Sequence, residues 1–88
     1  MVKMKIMKSK IGIEELTTGS KAIIVGYKTA YGGYVGKLLS KGLVVGKTLT
    51  VANTNSLGNM VEIVVEKQLV SLSKPEADAL YVTMLKED

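Results

Sequence analysis

Leu38-Leu39-Ser40-Lys41-Gly42-Leu43-Val44-Val45-Gly46-Lys47-Thr48-Leu49-Thr50-Val51 is the stretch whose reading decides the fold. Leu38 and Leu39, with Val35 one turn earlier, recur at helical spacing and predict an apolar helical face. Gly42 stands where a helix end favours a residue that tolerates the left-handed backbone. Beyond Gly46 the period changes to two, with Leu49 and Val51 on one side and Thr48 and Thr50 on the other. Helix, apolar corner and alternating strand together make the corner of a small β-barrel that carries one helix.

On the N-terminal side, Thr17-Thr18-Gly19-Ser20 is loop chemistry leading into a strand over Lys21 to Tyr27. Before it, Ile13 to Leu16 reads as one apolar turn. The inserted helix is expected over Tyr31 to Lys41, although Gly32, Gly33 and Gly36 each cost about 1 kcal/mol against alanine there. On the C-terminal side, a strand from Thr48 to about Asn53 and a loop over residues 54–59 precede a strand over Met60 to Glu66, in which Val61, Ile63 and Val65 alternate with Glu62, Val64 and Glu66. Lys67-Gln68 reads as a tight turn into a strand over Leu69 to Leu72. Ser73-Lys74-Pro75-Glu76 is a capping box, with serine at the cap and glutamate three residues on, and it opens one helical turn. A last strand is expected over Tyr81 to Lys86. The expectation is therefore a mainly β chain: a small, SH3-like, partly open β-barrel of about five antiparallel strands, with one inserted helix and one short helical turn. Residues 1–10 form a lysine- and methionine-rich leader, an edge strand or disordered, and residues 11–88 form a single domain.

The composition narrows function. The chain has 88 residues, no cysteine and no histidine, so disulfides, thiol chemistry and the commonest acid–base and metal-ligating side chain are excluded. Its net charge is +4, and all twelve basic residues are lysine, which counts against base-specific readout and bidentate phosphate clamps. The lysines concentrate in residues 1–47. No apolar run is long enough to span a membrane and no signal peptide is evident, so a cytoplasmic location is expected.

Two motifs imitate nucleotide and nucleic-acid sites. Gly42-Leu43-Val44-Val45-Gly46-Lys47-Thr48 resembles a phosphate loop, but it is one residue short between the glycines and runs from helix to strand. Gly33-Tyr34-Val35-Gly36 has the spacing of a KH-type clamp without the elements around it. The carboxylates Glu14, Glu15, Glu62 and Glu66 form no catalytic pair, and no serine or threonine has an evident base, so an enzyme is not expected. The spacing of Met1, Met4 and Met7 is explained by a flexible tail as well as by a soft-metal site. Tyr27, Tyr31 and Tyr34 cluster at the junction of the first strand and the helix, with Lys28, Lys37 and Lys41 nearby. Tyrosine with positive charge suits a binding surface. The alternative is that two of the rings close the barrel's open end. The candidate partner-binding residues are Tyr31, Tyr34, Lys37, Leu38 and Lys41.

Four segments in order carry a family resemblance: Leu16-Thr17-Thr18-Gly19 with Ala22-Ile23-Ile24-Val25-Gly26; Leu38 through Gly46; Leu57-Gly58-Asn59-Met60-Val61-Glu62-Ile63; and Leu69-Val70-Ser71-Leu72-Ser73-Lys74-Pro75-Glu76-Ala77. Over about Ile13 to Met84 the chain resembles the FeoA family, small cytosolic proteins of bacterial ferrous iron transport. Val45 departs from a frequent proline, and the inserted helix lacks the family's frequent arginines. The resemblance implies an SH3-like barrel with a helix after its first strand. It also implies a non-catalytic protein of iron homeostasis without a cofactor of its own, iron being the transported ion. The implied partner is the cytosolic region of the ferrous iron transporter FeoB, with membrane contact only through the transporter. Two other readings stand beside it: a small basic barrel that binds nucleic acid through its lysine-rich half, or an SH3-like module acting with a metal-dependent regulator. Weak homo-oligomers, pairing through barrel edges near the leader, complete the partner expectations.

Overall fold

The computed structural model describes residues 4–6, 10–55 and 60–87. Its strands are β1 (Met4–Ile6), β2 (Ile11–Gly12), β3 (Lys21–Tyr27), β4 (Thr48–Asn55), β5 (Met60–Val65), β6 (Gln68–Ser73) and β7 (Leu80–Glu87). Two short α-helices, α1 (Val35–Ser40) and α2 (Lys74–Asp78), and 3₁₀ turns over Ile13–Glu15 and Thr29–Tyr34 connect them. The strands form one antiparallel sheet in the order β1-β7-β3-β4-β5-β6, and β2 also pairs with β7. The sheet curls without closing. Its bends coincide with register shifts between Ile24 and Gly26 on β3 and between Val51 and Asn53 on β4, where an extra residue breaks the ladder and increases twist.

The curl encloses one core. Ala22 and Ile24, Leu49 and Val51, Ile63 and Val65, Leu72, and Leu80 and Val82 supply it from five successive long strands, at the alternate positions that period-two patterning requires. Ile13 and Leu16 close one side. Leu38, Leu43, Ala77 and Ala79 close another. The mainly β, SH3-like expectation thus holds for the five long strands, with the inserted helix and the helical turn in their expected places.

Local readings need three corrections. The inserted element is not one helix over 31–41 but a 3₁₀ turn over Thr29–Tyr34 running into one and a half turns of α-helix. Paired glycines at 32 and 33 are poor α-helix formers, and the α-helix begins only after them. The β5–β6 turn is Glu66-Lys67, one residue earlier than expected, with both residues at positive φ (50° and 67°). That geometry matches the twist of a two-residue hairpin even without glycine. The strand β4 runs on to Asn55, so the expected loop at 54 begins later, and Ser56 to Asn59 lie outside the described residues. In the leader, β1 pairs with β7 in the register Met4 to Glu87, Lys5 to Lys86 and Ile6 to Leu85, while residues 1–3 and 7–9 lie outside the described residues.

Candidate partner-binding surface

The surface is built on the corner between α1 and β4, which two backbone hydrogen bonds define. Leu43 N–H donates to the Leu38 carbonyl and Gly42 N–H to the Leu39 carbonyl, each at 3.0 Å. Gly42 has φ +83°. This is a Schellman stop, whose expected apolar contact between Leu38 and Leu43 places both side chains, fully buried, in the core. Gly46, at φ +96°, then turns the chain so that its N–H donates to the Ile24 carbonyl at 2.9 Å, and Ile24 N–H donates to the Lys47 carbonyl at 2.9 Å. The corner is therefore hydrogen-bonded directly onto β3, and what it displays outward is held rigidly.

Outward it displays Leu39, Val44 and Val45, 47%, 37% and 58% exposed. Sequence reasoning put Leu39 on the buried face beside Leu38, but adjacent helical residues point about 100° apart, and only Leu38 meets the core. Leu38 is accordingly corrected as a surface candidate: at 0% exposure no partner can touch it. The signal for the exposed set was present in the run Leu43-Val44-Val45, where a tight turn can bury only one of three apolar side chains.

The tyrosines divide. Tyr27 lies against the core and its hydroxyl donates to the Leu43 carbonyl at 2.7 Å, so it braces the corner from inside. Tyr34 is half-buried against the core, and the Lys37 ammonium lies over its ring at 5.6 Å from the centroid. Tyr31 contributes backbone to the same turn; its side chain lies outside the described residues. Tyr81 on β7, which the sequence reading passed over, carries Lys10 and Lys28 over its ring at 5.8 and 5.4 Å.

Lys41 does different work. Its ammonium donates to Glu76 Oε2 at 2.8 Å and to the Ser71 carbonyl at 3.0 Å, which ties α1 to α2 and β6. Glu76 also accepts from Ser73 N–H at 2.9 Å and from the Ser73 hydroxyl at 2.8 Å, completing the capping box. Burial alone raises the Glu76 pKa, but the Lys41 and Ser73 hydrogen bonds more than offset it and hold the carboxyl at about 2. The candidates that reach outward are thus Tyr34, Lys37 and Lys41, with Leu39, Val44 and Val45 added, and Lys41 also braces α1 against α2 and β6.

Among the described residues, no group of three or more carboxylates, histidines or cysteines is disposed to hold a metal ion, and no helix is long and apolar enough to cross a membrane.

The sequence matches the FeoA domain family over residues 11–84. No match was found among curated protein sequences. A solved iron uptake regulatory protein, FeoA, is 25% identical, with a TM-score of 0.73 over 86% of this chain and 97% of that one. The FeoA-like protein from Clostridium acetobutylicum is 24% identical, with a TM-score of 0.81 over 93% and 94% of the two chains. A manganese-dependent transcriptional repressor in complex with manganese is 16% identical, with a TM-score of 0.80 over 89% of this chain and 38% of that one. The last two likenesses are of fold alone.

Proposed function

Since the chain belongs to the FeoA family, we propose that it is a non-catalytic accessory protein of bacterial ferrous iron transport. It docks from the cytosol on the cytosolic region of a FeoB transporter and modulates that transporter's assembly or nucleotide cycle. It carries no cofactor of its own, and iron is the cargo of the system it serves. The observation that carries this reading is the family match over residues 11–84, which takes in nearly the whole fold.

The docking surface is Tyr34, Lys37, Leu39, Val44 and Val45, an exposed apolar group beside an exposed ammonium on a rigid corner. Partly buried aromatic and apolar anchors with a charged rim are the anatomy of a protein interface. A FeoB cytosolic region immobilised on a sensor tests the assignment. Lys37→Glu combined with Val45→Asp changes exposed side chains and spares the core, and roughly tenfold or greater weakening of binding is expected. Binding unchanged by the double variant, with Lys86→Glu on β7 as control, removes this surface from the interface.

A second reading is favoured by the repressor likeness, which spans 89% of this chain: the module acts in trans on a metal-dependent repressor. Metal-dependent capture of such a repressor, with FeoB ignored, distinguishes it.

A further inference from the structure

Ala22 and Met84, partners on β3 and β7, face the core, so their neighbours Lys21 and Leu85 face outward. Pairing continues that outward row across the sheet, from Lys21 to Thr50 on β4, Val64 on β5 and Leu69 on β6. In this row lies a hollow of about 300 Å³, lined by Lys21, Thr48, Leu49, Thr50, Val64 and Leu85, a size at the small end of ligand pockets. Val64 and Leu85 give it apolar walls. Leu69, beside Val64, extends the apolar surface and at 61% is more exposed than any other large hydrophobic residue described. The polar groups of the hollow are not engaged within the fold. Lys41, Lys47 and Lys74 each meet a carboxylate, and Lys10, Lys28 and Lys37 each lie over a tyrosine ring. Lys21 meets neither among the described residues, and the hydroxyls of Thr48 and Thr50 have no hydrogen-bond partner there.

We propose that this hollow binds a small monocarboxylate with an apolar body, of the medium-chain fatty acid class. The carboxylate meets the Lys21 ammonium and accepts from the two threonine hydroxyls, and hydrogen bonds of this charge-assisted kind are the stronger ones. The apolar body lies across β4 and β5, over Val64 and toward Leu69. Adjacent strands are about 4.8 Å apart, so that path is about 14 Å long and suits an extended chain. One ammonium calls for one negative charge, and the hollow has no guanidinium fork of the kind that grips phosphate. The carboxylates that flank Val64 along β5 do not supply that charge, because Glu62 accepts from Asn53 and Glu66 pairs with Lys47. The inference does not depend on FeoB, because none of the residues lining the hollow belongs to the surface proposed to meet it.

Titration of the full chain with octanoate, followed by two-dimensional amide NMR into the millimolar range, tests this. Saturable shifts centred on Lys21, Thr48, Thr50 and Val64 are expected. Octanol has the apolar body without the charge, and inorganic phosphate has charge without the body. Each should bind at least tenfold more weakly than octanoate. Lys21→Gln keeps the length of the side chain and removes its charge, and should weaken octanoate at least tenfold. Leu69→Ser shortens the apolar wall and should weaken it severalfold, with thermal melts reporting that both variants keep the fold. Absence of saturable shifts, octanol or phosphate binding as tightly as octanoate, or affinity undiminished in folded Lys21→Gln overturns the inference.

Discussion

Glu76 shows how one side chain can serve two elements. Its Oε1 completes the cap of α2 through Ser73, and its Oε2 receives the Lys41 ammonium from α1, with only 10% of the side chain exposed. The first role was legible in the sequence as Ser73-Lys74-Pro75-Glu76. The second was not, because Lys41 lies 35 residues earlier and nothing local marks the pair. The pKa of about 2, against an ordinary 4.5, sets the sign of a pH dependence. A carboxyl depressed in the folded state contributes its stability fully above the unfolded value and loses it as pH falls through the folded one. The protein should therefore keep this contribution, on the order of 3 kcal/mol, down to about pH 4.5 and lose it progressively toward pH 2. Glu76→Gln should be destabilised at pH 7 and show a smaller loss over that acid range, read by urea melts at each pH. Parallel acid profiles for the two proteins would place the titrating group elsewhere.

At the scale of elements, the glycines separate two kinds of backbone. Gly42 stops α1 at positive φ, where a side chain is strained whatever the space around it. Gly32, Gly33 and Gly36 are not at positive φ, and a methyl group at each meets no atom within 4 Å. Alanine should therefore act with opposite sign in the two places. Gly42→Ala is expected to cost about 1 to 2 kcal/mol, and Gly36→Ala, in the helix itself, to stabilise by about 0.5 to 1 kcal/mol. Thermal melts of the two variants check both, and destabilisation by Gly36→Ala would show that α1 is more tightly constrained than its open surroundings indicate. The element order and the strand spans were readable because alternation in β5 and the shift of period after Gly46 are strong local signals. The β5–β6 turn slipped by one residue because Glu66 and Lys67 are not turn residues by propensity. Hairpin twist imposes positive φ on them, at a cost that local sequence does not advertise.

For the molecule as a whole, the curled sheet holds an exposed apolar corner, Leu39, Val44 and Val45, beside the Lys37 ammonium. Fold and family were legible because many weak signals agree over residues 11–84. The candidate surface was only partly legible. Tyr34 and Lys37 do reach the surface, but which of Leu38 and Leu39 is buried depends on how the helix docks, and that depends on Leu43 and the corner. Nor did any local signal show that Lys41, an exposed residue, also braces α1 against Glu76. The central claim is attachment to the transporter, and calorimetric titration of this protein into the isolated cytosolic region of its cognate FeoB, with GDP and with a non-hydrolysable GTP analogue, tests it most directly. Saturable binding whose affinity depends on the nucleotide is the predicted result; no heat in either nucleotide state, alongside salt-sensitive heat with a short DNA duplex, would contradict it.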